Sequence, residues 1–105
     1  MKIQFDSQAD ALYLRLLDSE VADSESLEPD VVYDYDAENR VVGVEVLRVR
    51  ANLPNLATRA LPFKSLGQQI EFLSFLETLA DTDLQAKLVF AKQILQNQHL
   101  LSQSA

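Results

Sequence analysis

Five carboxylates in the first half of the chain, Asp6, Asp10, Asp34, Asp36 and Glu45, are the side chains best suited to chemistry. Oxygen-rich clusters bind Mg²⁺, Mn²⁺ or Ca²⁺. Grouped carboxylates can also act as general acid and base when their environments separate their pKa values. Either use requires the five to converge, and hence the strands that carry them to be neighbours. Each also has a plainer role. Asp6 and Asp10 can cap turns, Asp34 and Asp36 can close the end of a hairpin, and Glu45 can pair with an arginine. Charge runs on small domains are usually solvated faces, so the plainer roles are preferred. Asp34, Asp36, Glu38 and Glu45 also fall at positions 1, 3, 5 and 12 of a calcium-loop template. Position 6 is Asn39 rather than Gly, and Val41-Val42-Gly43-Val44 reads as a strand, so that pattern is a decoy.

Other chemistry is poorly supplied. There are no cysteines and one histidine, His99, read as a solvated tail residue. Thiolate sites, His-rich metal sites and a Ser-His-Asp triad are therefore disfavoured. Ser7, Ser24 and Ser65 have no base nearby to activate them. Gly43 and Gly67 are the only glycines, too few for a phosphate-binding loop. No catalytic residue and no cofactor is expected. Arg48 and Arg50 are placed on one strand face, where they could meet a partner's carboxylate; pairing with acids of their own sheet is the better reading. Tyr13, Tyr33 and Tyr35 could form an aromatic contact patch, although half-buried packing is the commoner use of such residues.

The elements that must position these residues follow from the periodicity. Residues 2–6 and 11–17 alternate as strands, and residues 23–28 suit a polar edge strand. Glu28-Pro29-Asp30 turns the chain. Residues 31–36 and 41–49 form a hairpin around Ala37-Glu38-Asn39, with Asn39 in the left-handed conformation. This register sets Asp36 opposite Arg40, Tyr33 opposite Gly43, Val31 opposite Glu45 and Val32 opposite Val44. It makes both faces of the sheet apolar, and a second copy of the chain is the expected cover for one of them. Residues 51–64, with Pro54 and Pro62, read as a connector. Capping boxes at Ser65/Gln68 and Thr82/Gln85 open two helices that should pack antiparallel. Each has an apolar arc wider than one neighbour needs. From about Gln96 the chain is expected to fray. The fold class is α+β, a small antiparallel sheet of four to five strands followed by a helical hairpin. Residues 1–105 are read as one domain: sheet 1–50, connector 51–64, hairpin 65–97.

Charge narrows the partners. Residues 1–50 carry twelve acids and five bases, and residues 51–105 carry four of each. An acidic surface repels phosphate backbones and anionic membranes, so neither nucleic acid nor membrane is an expected partner. A basic protein or a divalent cation remains compatible. No signal peptide and no membrane span is visible, and the expected location is the cytoplasm.

The order of motifs in the first half carries a resemblance. Phe5-Asp6, Ala9-Asp10-Ala11-Leu12-Tyr13-Leu14, Ser24 with Glu25, Asp34-Tyr35-Asp36 and Val41-Val42-Gly43-Val44-Glu45-Val46-Leu47 occur in sequence. They resemble a family of short bacterial proteins known only as a domain of unknown function, with the signature YD-x-x-AD-x-LYI … DYD-x-x-G-x-VVGIEIL. Phe5 stands where Tyr is usual, and Asn39 where Gly is usual. Gly and Asn both tolerate positive φ, which supports the turn at residue 39. The resemblance implies a compact β-rich domain and, because some similar proteins are encoded beside small toxin-like proteins, an antitoxin-like role. The helical hairpin lies outside it. The expected function is an interaction protein, homo-oligomeric and most simply dimeric, that binds a small basic or toxin-like protein. The alternative is a divalent-metal enzyme using the five carboxylates.

Overall fold

The computed structural model describes the backbone of residues 1–104 and the side chains of residues 1–98. The order is β1 (Lys2–Asp6), β2 (Ala11–Arg15), β3 (Asp23–Glu28), β4 (Val31–Tyr35), β5 (Val41–Val46), α1 (Val49–Leu56), α2 (Leu66–Glu77) and α3 (Thr82–Ser104). The α+β class and the C-terminal helical hairpin are as the sequence reading expects. The chain divides into two compact units, Met1–Asn52 and the residues from Leu53 onward, with the division inside α1.

The first unit is one antiparallel sheet in the order β1-β2-β5-β4-β3. Residues paired across strands point to the same side, so the register assigns the faces. Ile3, Leu14, Val44 and Tyr33 form one row, and Phe5, Leu12, Val46 and Val31 the next. Leu12, Leu14, Val31, Val44 and Val46 in these rows are buried. The opposite face carries the rows Lys2-Arg15-Gly43-Asp34-Ser24 and Gln4-Tyr13-Glu45-Val32-Ser26. One face is apolar and the other polar, the clean alternation of a sheet wet on one side.

This corrects the expected hairpin. Its closed end is as read: Asn39 has φ 63°, and the Asp36 amide donates to the Arg40 carbonyl at 3.0 Å. Beyond it a bulge intervenes, with Tyr35 opposite Val41 but Asp34 opposite Gly43. Val42 is the extra residue. Its carbonyl turns toward the end of β2 and accepts from the Leu16 and Leu17 amides at 2.8 and 3.2 Å. A one-residue slip exchanges the faces. Val31 and Tyr33 therefore join the apolar side, and Val32 pairs with Glu45 on the polar side. The doubly apolar sheet, on which the expectation of an oligomer rests, does not exist.

β5 also ends early. The Leu47 amide donates to the Asp30 carbonyl at 2.8 Å, and Arg48 is left-handed at φ 49°. The chain then enters α1, in what reads as strand end and connector. Pro54 lies inside α1, which hides so short a helix from pattern reading.

In the second unit α2 starts where expected. Ser65 Oγ accepts from the Gln68 amide at 3.2 Å, while Gln68 Oε1 reaches back to the Lys64 amide at 2.8 Å. The cap of α3 is Asp81 rather than Thr82, since Asp81 Oδ1 accepts from the Leu84 amide at 2.9 Å. Phe72, Leu73 and Leu76 of α2 and Leu88 of α3 are buried, and the Phe63 and Phe72 rings lie 5.4 Å apart. Lys92 Nζ ties α3 to α2, 3.0 Å from Glu77 Oε2 and 3.3 Å from Ser74 Oγ. α3 continues to Ser104, so the chain does not leave the helix at Gln96. The reading of His99 lies outside the described side chains.

Candidate functional site

The polar face of the sheet is built around Gly43. With no side chain there, the Tyr13 ring crosses the strand; a Cβ at Gly43 would overlap the ring's hydroxyl end. The Tyr13 hydroxyl donates to Asp34 Oδ2 at 2.8 Å, and the Ser24 hydroxyl donates to Asp34 Oδ1 at 2.6 Å. One carboxylate thus links β2, β4 and the edge strand β3. The sequence register puts Tyr33 opposite Gly43; in the structure the residue opposite is Asp34, and the ring over Gly43 is that of Tyr13. Burial, reinforced by the Asp34 carboxylate, raises the Tyr13 phenol above its ordinary pKa, and the Arg15 guanidinium opposes the rise.

Asp36 closes one end of the sheet. Its carboxylate accepts from the Glu38 and Arg40 amides at 3.0 and 2.9 Å, from Arg40 Nε at 2.8 Å and from Ser19 Oγ at 3.0 Å. The Arg40 backbone amide is the largest of the effects that hold its pKa down to about 2. The residue is 5% exposed. A buried charge needs such a set of donors.

Asp10 and Asp30 tie the turns at the other end to the chain after β5. Arg50 Nη1 lies 3.0 Å from Asp10 Oδ1, and its guanidinium sits over the Phe5 ring at 5.4 Å. Arg48 Nη2 lies 2.8 Å from Asp30 Oδ2, and Asn52 Nδ2 donates to the same oxygen at 3.1 Å. Hydrogen bonds from Arg48 lower the Asp30 pKa. Asp10 and Asp30 both have positive φ, 53° and 72°. Arg48 and Arg50 therefore share no strand face. They pair with acids of the two turns.

The five carboxylates do not converge, although β1, β2, β5 and β4 are neighbours. Asp6 caps its own turn, accepting from the Gln8 and Ala9 amides at 3.0 and 3.1 Å. Asp10, Asp34 and Asp36 have the separate partners described above, and Glu45 lies opposite Tyr13 and Val32. Among the described residues, no three His, Asp or Glu form a group that could hold a metal ion. Of the tyrosines, Tyr13 is on the polar face and Tyr33 on the apolar face. Tyr35 pairs with Asp23 at the bulge, and burial raises its pKa.

Val89, Phe90 and Ile94 lie in the wide apolar arc expected of the second hairpin helix, here α3. They are 51%, 68% and 44% exposed, the largest such cluster on one element among the described residues. The width of the helix's apolar arc is the signal that could have singled them out.

Comparison with known proteins bears on the sheet unit. Residues 2–50 match the model of the family described as "Protein of unknown function (DUF2283)". The match covers the strands, the Tyr13–Asp34–Ser24 link and both arginines after β5, and it stops inside α1. This is the half of the chain that carries the motif resemblance. No curated protein and no solved structure matches the chain. No described helix is long and apolar enough to cross a membrane.

Proposed function

We propose that this protein is an interaction module that self-associates through α3 and offers its acidic sheet unit to a basic partner. The observation that carries the reading is the exposed face of α3. Val89, Phe90 and Ile94 recur there with Ala86, Gln93 and Asn97 at helical spacing, and none of the six is charged. Large apolar side chains clustered on one exposed face mark an interaction surface. A second copy is its occupant, on grounds of charge. Residues 51–105 have no net charge, so two copies of α3 meet without repulsion. Residues 1–50, at −7, drive copies apart and attract a cation-bearing protein. The edge strand β3 carries Asp23 and Glu25, both exposed. A small basic, toxin-like protein is the partner that this edge suits. The dispersal of the five carboxylates argues against the metal-dependent alternative.

The test is native mass spectrometry with light scattering on the purified full chain. A dimer at tens of micromolar, converted to monomer by Phe90→Glu, is the expected result. A wild-type monomer throughout that range overturns self-association. So does a dimer that Phe90→Glu leaves intact.

A further inference from the structure

The polar face of the sheet holds a cleft of about 520 Å³ that none of the roles above uses. It is lined by Lys2 and Gln4 of β1, Tyr13 and Arg15 of β2, and Leu17 and Asp18 beyond β2. That volume lies within the range of small-molecule sites, roughly 300–1,000 Å³. We infer that this cleft binds a small molecule through an oxyanion, a phosphate or carboxylate group held between Lys2 and Arg15.

The argument rests on where the bases of this acidic unit are placed. Of the five bases in residues 1–50, Arg40 pairs with Asp36 and Glu38, Arg48 with Asp30, and Arg50 with Asp10. The remaining two, Lys2 and Arg15, form no ion pair among the described residues. They are also direct cross-strand partners. Like charges directly opposite each other on a sheet are destabilising. Twelve acids surround them in sequence, yet the two cations are set side by side. A bound oxyanion converts that repulsion into two charge-assisted contacts. Arg15 is already oriented, since Nη2 donates to the Ser19 carbonyl, and a guanidinium has five N–H donors. Tyr13, whose hydroxyl donates to Asp34, is part of the lining. A lysine on an edge strand also discourages strand addition. That role explains Lys2 alone, not its pairing with an arginine that has no carboxylate partner among the described residues. Asp18 is the one acid of the lining. It is exposed and opposes an anion, which makes it a useful handle.

The experiment is an amide-resolved NMR titration of the full chain with inorganic phosphate and, separately, with succinate, against sodium chloride at matched ionic strength. The expected result is a saturable shift confined to Lys2, Gln4, Tyr13 and residues 15–18, absent with chloride. Saturation by phosphate alone identifies a phosphate group, and by succinate alone a carboxylate. Lys2→Gln should weaken binding by about tenfold, as loss of one charge-assisted contact does. Asp18→Asn should tighten it, and this exposed change leaves Arg15 and its carbonyl contact in place. Saturation by neither anion overturns the inference. So does binding that Lys2→Gln and Asp18→Asn both leave unchanged.

Discussion

Gly43 illustrates how one residue decides a local arrangement. A methyl group there must displace the Tyr13 ring, and with it the bond to Asp34. Gly43→Ala should therefore cost about 2–4 kcal/mol, the sum of overpacking and a lost hydrogen bond. Tyr13→Phe keeps the ring and loses only the bond, so it should cost about 1 kcal/mol. Urea denaturation of the two variants checks the ordering, and a milder effect for Gly43→Ala would refute this account. Asp36 sets a pH dependence. Its folded pKa, about 2, lies below its unfolded value, so its contribution is full above the unfolded pKa. It is lost as pH falls from about 5 toward 2. Asp30, also lowered, acts in the same sense. Tyr13 acts oppositely. Its raised pKa gives stability that is present below about 10 and lost as pH rises through the folded value. Thermal melts of Asp36→Asn across pH 2–7 should show a shallower acid limb than the wild type, together with lower stability at pH 7.

Among the elements, the helices make the sharper statements. Removing the α3 cap with Asp81→Ala should cost about 1 kcal/mol, while Thr82→Ala should cost less, because Asp81 is the residue that accepts from the first turn. Equal effects, read as chemical denaturation midpoints, would return the cap to Thr82. Phe72 is 1% exposed and lies against Phe63, so Phe72→Ala should cost about 3–5 kcal/mol. The bulge at Asp34/Tyr35 is the decisive feature of the sheet. It alone moves Val31 and Tyr33 to the apolar side and frees the polar face for the Tyr13–Asp34 link. The motif order of residues 2–50 was readable because strand alternation and turn residues are local signals. The bulge was not, because it depends on Val42 turning its carbonyl to β2, a strand distant in sequence.

For the whole molecule, the division of charge is the governing fact. Twelve acids against five bases in residues 1–50, and parity in residues 51–105, set an anionic stretch beside a neutral one, and the proposed function rests on that division. A basic partner held by the sheet unit should dissociate as salt is raised, because the Debye length falls from about 10 Å at 0.1 M to about 3 Å at 1 M. A dimer formed through Val89, Phe90 and Ile94 should survive the same change, since it buries apolar surface. Sedimentation at the two salt concentrations separates these cases. Loss of the dimer in high salt would show that charge, not α3, holds the copies together.

The sequence by itself determined the strands, the left-handed turn at Asn39, the Ser65 cap, the helical hairpin and the family resemblance of the first half. All of these are written in the chemistry of near neighbours. Only the tertiary structure decided which face each β4 residue takes, that Asp10 and Asp30 belong to Arg50 and Arg48, and that the carboxylates stay apart. It also decided that Lys2 meets Arg15. These outcomes depend on register, and register is set by contacts between residues far apart in the chain, where a slip of one residue reverses every face.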